Sequence, residues 1–421
     1  MVAEIPGAAP DCRRVLAVSS EVPWPLDSGG HLRSYHLISA LAQRFRVTLV
    51  AGSTPAPNPA EFPAGRVSLR RVRLSARSLF GEARRAATAL TLSEPYVCFR
   101  RHARREMRAA VEQELARERP AALYLDHLDS VLFADLAPDI PIIVDLHNVY
   151  SSLVRRTAEE ASGWRRYYLR RESELLARME RKAARLGSLL FAVSDQDGKY
   201  FEQLGGRVRV VPNGIDCAAY ADLPTGRSGN APLILFVGTL SWGPNASAAQ
   251  FLIRTLLPQV RAAVPGANLR IIGRNPPNHL IKLGRQHQVE IRADVDEIQP
   301  HLREASVVAV PLESGGGSRL KILEAFAAGI PVASTPVGSE GLEVVSGEHL
   351  LNASRDDLAD AVRQLLQNTS LAGDLARRAR ALVRDRYDWT SVGQSATGLV
   401  ADLIDSGCLE GAEQPRRHGE A

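Results

Sequence analysis

The chain has 421 residues, with 52 basic and 47 acidic side chains and a net charge of +5. This length exceeds one ordinary hydrophobic core and predicts two domains of roughly 150 to 200 residues each. Uninterrupted apolar stretches stay below the roughly 18 to 20 residues of a membrane-spanning helix. The start lacks the pattern of a secretory signal, and the four cysteines show no C-x-x-C spacing. We therefore expect a cytoplasmic protein without a disulfide framework.

Positive charge is concentrated in the first half of the chain. Residues 1–217 hold 32 basic and 25 acidic side chains, and residues 66–119 alone hold 14 arginines and 6 glutamates. Two interpretations stay open: solvated helix faces, or a surface for anionic lipid or an anionic acceptor at the inner face of the plasma membrane. The basic runs lack interleaved aromatic residues and a nucleic-acid motif, so we expect no nucleic-acid partner.

Short apolar runs alternate with helical patterns almost throughout, as in parallel βαβ units. The first half contains six predicted strands, at 14–20, 46–52, 121–126, 141–147, 189–194 and 207–214. The second half contains five, at 232–239, 268–274, 289–293, 306–311 and 331–336. The fold class is therefore α/β with two doubly wound parallel sheets, and ligands are expected at the carboxyl ends of the strands.

The stretch "PTGRSGN" (224–230), rich in Pro, Gly and Ser, predicts the link between the domains. A terminal helical pattern runs from about 357 to 405 and breaks near "YDWTS". The predicted divisions are a disordered start (1–11), a first domain (12–217), a linker (218–230), a second domain (231–388), a helix (389–407) and a disordered tail (408–421).

The stretch "PLESGGGSRLKILEAF" (311–326) combines a glycine-rich loop with a helix predicted from about Arg319 to Ala328. Glycines let a ligand approach the backbone, and the first amides of a helix attract anions. Arg319 and Lys321 are cations in the first turn, which is unfavourable unless an anion such as a diphosphate lies in front of them. Glu324 lies on an apolar face, where an unpaired carboxylate is costly and a ribose diol would be a suitable partner.

Loops of the first half also place candidate ligand-binding residues at helix starts and strand ends. Gly29 and Gly30 precede a helix that is predicted to begin near His31, and His147 ends a strand. The stretch "YLDHLDS" places Asp126, His127 and Asp129 in an equivalent position as candidate acceptor contacts.

Other motifs are absent or uninformative. Asp195-x-Asp197 and Asp294-x-Asp296 match the short D-x-D pattern of metal-dependent sugar transferases, and we assign them to solvent or helix starts. No His/carboxylate cluster indicates a metal ion. G-x-G-x-x-G after the first strand and the Walker A motif are missing, which disfavours nicotinamide chemistry and ATP hydrolysis.

Taken together, "VPNGID" (211–216), "LFVGTLSWGPNASAAQFLI" (235–253), "IIGRNPP" (271–277), the run 295–342 and "YDW" (387–389) resemble the retaining glycosyltransferases of family four. The resemblance implies a GT-B fold, with two Rossmann-like sheets facing a central cleft. It also implies a nucleotide-sugar donor in the second domain, an acceptor in the first, and a terminal helix that returns to the first domain.

The resemblance also assigns roles to residues, with His147, Arg319 and Lys321 as the catalytic set and Glu324 as the ribose ligand. His147 matches a histidine beside the donor sugar. The expected donor contacts are Gly29, Gly30, Gly238, Arg274, Gly316, Gly317, Ser318, Arg319, Leu320, Lys321 and Glu324. The expected acceptor contacts are Asp126, His127 and His147. No metal or other cofactor is expected, and the base of the donor (uracil, guanine or thymine) stays open.

Two features depart from the family pattern. The first carboxylate of its E-x7-E motif falls on Gly316, with Glu313 out of register, and "GTLSWGPNAS" lacks the usual Arg and Lys. A subset with G-G-G-[ST]-R-L-K-x-L-E shares the first feature, and there Arg319 and Lys321 would supply the charge. Two alternatives therefore remain: a non-catalytic partner that binds a nucleotide sugar, and a sugar-nucleotide epimerase. For a transferase, the expected acceptor is lipid-linked or otherwise anionic, as in polysaccharide or glycolipid assembly, or a natural product.

Overall fold

The computed structural model describes residues 13–26, 28–53, 62, 67–74, 79–91, 93–96, 102, 104–221, 231–314 and 319–412. The chain forms two compact units. The first comprises the residues up to Pro212 and those from Val392 onward, and the second runs from Asn213 to Ser391.

The first unit is built on a seven-stranded parallel sheet. Its strands are β1 (Arg14–Ser19), β2 (Arg46–Ser53), β3 (Val67–Arg73), β4 (Ala122–Asp126), β5 (Ile142–Leu146), β6 (Leu189–Ala192) and β7 (Val208–Val210). Their order is β3-β2-β1-β4-β5-β6-β7. The strand order reverses between β1 and β4, which is where open α/β sheets bind ligands.

Helical segments alternate with these strands along the chain. They are α1 (Gly29–Arg44), α2 (Leu79–Thr91), α3 (Arg105–Arg117), a 3₁₀ segment (Leu128–Leu136), α4 (Tyr150–Glu160), α5 (Gly163–Leu186) and α6 (Asp195–Gln203). β1, β4 and β5 are buried along their whole length, as expected for central strands with helices on both faces.

The second unit repeats the arrangement with six parallel strands. They are β8 (Leu233–Val237), β9 (Asn268–Gly273), β10 (Glu290–Ala293), β11 (Val307–Val310), β12 (Val332–Ser334) and β13 (Leu351–Asn352). The order is β10-β9-β8-β11-β12-β13, so the reversal falls between β8 and β11. Both sheets therefore have the Rossmann-like strand order, and the predicted fold class is confirmed.

The helical segments of the second unit begin with a 3₁₀ turn at Cys217–Tyr220. They continue as α7 (Gly243–Phe251), a π segment (Leu252–Leu256), α8 (Leu257–Ala263), α9 (Asn278–Gln286), α10 (Gln299–Glu304), α11 (Leu320–Ala327), α12 (Leu358–Gln367), α13 (Thr369–Arg386) and the start of α14 (Trp389–Ala412). Within the described ranges, no helix is both long enough and apolar enough to cross a membrane.

All eleven predicted strands are present, and two further strands were missed. β3 has arginine at three of its seven positions and buries only Val72, because it lies at the edge of the sheet. β13 has two residues, too few for a periodic signal.

The structural units differ from the predicted divisions near their ends. The first unit ends at Pro212 rather than 217, because Ile215 and Tyr220 belong to the core of the second unit. Helix α14 continues to Ala412, so the tail predicted to be disordered from 408 begins as helix. Residues 1–11, 222–230 and 413–421 lie outside the described residues.

Candidate functional site

In the first unit, polar side chains meet where β1, β4 and β5 end. Ser19 ends β1, Asp126 ends β4, and His147 directly follows β5. Asp126 is fully buried and accepts hydrogen bonds from Ser19 Oγ at 2.8 Å, from Ser34 Oγ of α1 at 2.8 Å and from His147 Nε2 at 3.0 Å. The reversal of strand order thus holds a buried carboxylate and an imidazole.

Asp145 supports the same imidazole from within β5. Residues two apart on a strand share a face, and Asp145 Oδ2 lies 3.3 Å from His147 Nε2. Arg33 of α1 donates through Nε and Nη2 to this carboxylate, the shortest contact being 2.6 Å, and Tyr124 donates its hydroxyl at 2.9 Å. Arg33 also donates to Val211 O at 2.7 Å. Arg33 and Asp145 are fully buried, and each has several partners.

These pairs fix the charge of the cluster. Burial lowers the pKa of His147, but the carboxylates of Asp145 and Asp126 raise it to about 9. Burial raises the pKa of Asp145, and the charges of Arg33 and His147 bring it well below its usual range. The His147 ring is therefore a cation at neutral pH.

One nitrogen of this cation remains available. Among the described residues His147 Nδ1 is buried and has no hydrogen-bond partner. A Cβ placed on Gly30, the second residue of α1, would lie 3.6 Å from that atom and 3.5 Å from the His127 ring. The missing side chain at Gly30 therefore leaves room in front of a charged N–H group.

His127 packs against His147, with ring centroids 3.5 Å apart. Its Nδ1 lies 3.3 Å from the Tyr150 hydroxyl. Its φ of 68° is in a region that residues other than glycine seldom adopt, and such strain is often found at functional sites. Burial, followed by the neighbouring His147, lowers the pKa of His127, so the cation stacks on a neutral ring. Asp129 lies on the 3₁₀ segment, its carboxylate 3.1 Å from His102 Nδ1.

Asp126, His127 and His147 form the kind of group that could hold a metal ion, since each offers one ligand atom within 4.8 Å of the others. A metal requires a neutral imidazole, whereas two carboxylates hold His147 as a cation. Asp126 also accepts three hydrogen bonds already. The donor set is better suited to charge-assisted hydrogen bonding than to a divalent ion.

In the second unit, candidate residues lie where β8 and β11 end. Lys321, in the first turn of α11, donates from Nζ to Asn245 Oδ1 at 2.8 Å and lies 4.6 Å from the centroid of the Phe236 ring. Asn245 is buried and donates to Thr239 O at 3.0 Å. A Cβ on Gly238 would lie 2.7 Å from Asn245 Nδ2, so a larger residue at this position would displace the Asn245 side chain.

Glu324 follows Lys321 by three residues and accepts a hydrogen bond from the Tyr220 hydroxyl. The sequence predicted a ribose diol as the partner of this carboxylate and did not predict the contact with Tyr220. Burial raises the pKa of Glu324 to about 7, although Lys321 and Tyr220 oppose the shift. Burial, followed by the charge of Arg319, lowers the pKa of Lys321 to about 7.

Arg319 precedes α11 as its N-cap residue rather than lying in its first turn. It is 5% exposed, and its guanidinium lies 3.4 Å from the Glu340 carboxylate. Leu320 begins α11, and Arg274 is exposed beyond the end of β9. Gly316, Gly317 and Ser318 lie outside the described residues, so their donor role stays a prediction.

Five further acidic residues take ordinary roles. Glu313 pairs with Arg355, which also lies over the Phe251 ring. Asp195 and Asp197 lie in the first turn of α6, and Asp294 and Asp296 are exposed.

Sequence reasoning missed Asn245, Tyr220, Arg33, Ser19, Ser34 and Tyr124. Asp145 did carry a signal, because a carboxylate inside the apolar run "PIIVDLH" requires a buried partner.

Two family models match the chain, one mainly in each unit. Residues 28–219 match "Glycosyltransferase Family 4", and residues 231–368 match "Glycosyl transferases group 1". The glycogen synthase of Mycobacterium tuberculosis is 30% identical over 295 residues, which cover 66% of each chain. The phosphatidyl-myo-inositol mannosyltransferase of Mycolicibacterium smegmatis is 28% identical over 226 residues, covering 51% of this chain and 58% of the relative. The chain thus spans just under two thirds of the first relative and a smaller share of the second.

A solved structure shows the same fold. Anabaena Alr3699/HepE in complex with UDP and glucose superposes with a TM-score of 0.60 at 15% identity, over 92% of this chain and 99% of that one. With two Rossmann-like units, the fold is GT-B. Two glycosyltransferase family models thus together match most of the chain, and the first of them is that of family four.

Proposed function

We propose that this protein is a retaining glycosyltransferase, which moves a sugar from a nucleotide-diphosphate sugar to an acceptor hydroxyl without a metal ion. The observation that carries the proposal is the arrangement at the start of α11. There Lys321 and Glu324 lie beside the point where strand order reverses, and burial weakens the charge of both. A diphosphate would restore the charge of Lys321, and ribose hydroxyls would donate to Glu324.

The reaction breaks the bond between the anomeric carbon and the diphosphate oxygen, and it forms a bond from that carbon to the acceptor oxygen. The acceptor proton passes to the departing diphosphate on the same face of the sugar. Lys321, with Arg319 beside it, stabilises the developing negative charge, and His147 Nδ1–H donates to a substrate hydroxyl. Holding both substrates in place supplies the remaining rate acceleration.

The donor is a UDP, GDP or dTDP sugar, and the HepE complex with UDP favours UDP as the first choice. We propose a lipid-linked or otherwise anionic acceptor in bacterial polysaccharide, glycolipid or natural-product assembly. A lipid acceptor is supported by the similarity to a phosphatidyl-myo-inositol mannosyltransferase and by the basic first half of the chain. It would place the protein at a membrane surface.

Calorimetry with UDP, GDP, dTDP and their common sugars tests the donor site. We expect one diphosphate to bind the wild type and to bind Lys321→Ala and Glu324→Ala far more weakly. A matched control is Lys282→Ala, an exposed lysine of α9. Failure of every nucleotide to bind the wild type would overturn the donor assignment.

Product analysis separates transfer from the two alternatives. The donor that binds is incubated with and without an acceptor mixture, and NMR follows the anomeric proton. Transfer with the anomeric configuration kept supports the proposal, and activity that survives EDTA supports metal independence. Conversion of the donor without any acceptor would instead indicate an epimerase, whereas tight binding with neither hydrolysis nor transfer would indicate a non-catalytic partner.

A further inference from the structure

The solvent face of α5 carries a basic stripe. Among the exposed residues of this helix seven are basic, and Glu174 is the single acidic one. Five of the seven follow one another at helical spacing on one side, and we call them the basic face of α5: Arg170, Arg178, Arg181, Lys182 and Arg185. Within the part of the chain that the structure describes, none of these five forms an ion pair. The exposed Glu174 lies four residues from both Arg170 and Arg178, so this side carries five basic residues and one acidic residue.

Large aromatic side chains are exposed at the beginning of the same helix. Trp164 is 81% exposed and Tyr167 is 77% exposed, with Arg165 and Arg166 between them. Trp and Tyr favour the boundary between lipid headgroups and water, and exposed apolar side chains that lie in a group mark interaction surfaces. We therefore expect Trp164 and Tyr167 to contact a partner that has an apolar interior and a polar surface.

A third exposed aromatic residue is tied to this region. Phe80 of α2 is 82% exposed. Tyr96 connects the two helices, because its hydroxyl donates to Glu82 of α2 and its backbone N–H donates to Glu172 of α5 at 3.0 Å. Phe80 is two residues from Glu82, and Glu172 lies about two turns after Trp164. The first turn of α2 is thus connected through Tyr96 to the middle of α5.

We propose that the basic face of α5, with Trp164, Tyr167 and Phe80, docks on an anionic phospholipid surface. The helix has 24 residues, about 36 Å of length, so a helix lying along the bilayer brings the stripe to many headgroups at once. The aromatic rings enter the headgroup region, and the arginines bind phosphate. This surface deepens the membrane association proposed above and is separate from the residues that bind the sugar nucleotide.

Vesicle sedimentation tests the surface, with full-length protein and no donor or acceptor, so failure would leave the transfer reaction untouched. The vesicles contain phosphatidylcholine alone or mixed with phosphatidylglycerol. We expect binding to the anionic vesicles only. Reversing three charges, Arg178→Glu with Arg181→Glu and Arg185→Glu, should weaken it about 10²-fold or more. The control reverses three exposed charges of the second unit, Arg254→Glu with Lys282→Glu and Arg285→Glu, and should bind nearly as wild type.

The aromatic contribution is tested separately. Trp164→Ser with Tyr167→Ser should lower binding about tenfold, most clearly at high salt where charge is screened. Tryptophan fluorescence of the wild type should shift to shorter wavelength on anionic vesicles, and this shift should be absent without Trp164. Three outcomes would overturn the proposal. The first is that the wild type does not bind vesicles, and the second is that the control variant loses as much vesicle binding as the α5 variant. The third is that the protein binds heparin as tightly as it binds vesicles and shows no fluorescence shift. The last would indicate a general polyanion surface.

Discussion

The two candidate sites treat buried charge in opposite ways. Around His147, carboxylates outweigh burial, raising the pKa of the histidine to about 9 and keeping the cluster charged without a ligand. At α11, burial outweighs the attraction between Lys321 and Glu324, and both pKa values come to about 7. The difference follows from the partners of each group. Asp145 contacts Arg33, Tyr124 and His147, whereas among the described residues Lys321 has the neutral Asn245 as its single hydrogen-bond partner. The cluster around His147 is therefore charged before any substrate binds. The site at α11 becomes fully charged when an anion binds there.

Of the substitutions proposed for the two sites, one that disrupts the charged cluster around His147 should have the largest effect. Asp145→Asn leaves the fully buried Arg33 without its counter-charge, and we expect the free energy of unfolding to fall by about 3 to 5 kcal/mol. Thermal and urea unfolding would measure this loss. A matched control replaces both partners, Arg33→Met with Asp145→Asn, and should recover much of the stability. A single variant as stable as the wild type would show that the pair does not organise the cluster.

At α11 the expected effect is on rate rather than on folding. Lys321→Ala should lower kcat by about 10²-fold or more, because the charge opposite the departing diphosphate is lost. Since the lysine is costly to bury, the unfolding midpoint should stay the same or rise. Asn245→Ala, which removes only the group that positions the lysine, should cause a smaller loss. Equal rates for wild type and Lys321→Ala would remove Lys321 from the catalytic set.

Gly30 allows the space in front of His147 to be tested without disturbing its charge. Gly30→Ala places a methyl group at ordinary contact distance from both histidine rings, so the structure can accept it. Helix propensity predicts a gain of up to about 1 kcal/mol in stability. We nevertheless expect kcat/KM to fall about tenfold, because the methyl group fills the volume beside Nδ1. Full activity in this variant would argue that no substrate group occupies that volume.

The smallest predicted effect is a proton balance at α11. Diphosphate binding favours charged Lys321 and so takes up protons near pH 7, while ribose binding favours ionised Glu324 and releases them. In the wild type these two changes should nearly cancel. Glu324→Gln should show net uptake and Lys321→Met net release, each a fraction of a proton. Calorimetry in buffers of different ionisation enthalpy would measure this, and identical values in all three proteins would contradict the assignment.

The sequence predicted the architecture well because alternating apolar runs and helical patterns report burial directly. It also predicted polar side chains at the carboxyl ends of strands, as at Asp126 and His147. It could not predict contacts between residues far apart in the chain, such as Arg33 with Asp145 or Tyr220 with Glu324. Strand β3 was missed for a related reason, since an edge strand exposes most of its side chains and its arginines resemble those of a solvated surface.

Helix α14 has a consequence for how the protein reaches its native state. From Val392 onward it belongs to the first unit, where a Cβ on Gly393 would lie only 2.6 Å from that of Ala40 in α1, and Asp405 pairs with Arg13 at 2.6 Å. Helix α1 also supplies Gly30, Arg33 and Ser34 to the histidine site. During synthesis the first unit must therefore wait for the whole second unit to be translated before its own last packing layer exists. A chain that stops at Ser391 should accumulate with α1 loosely held and be an early target for proteases.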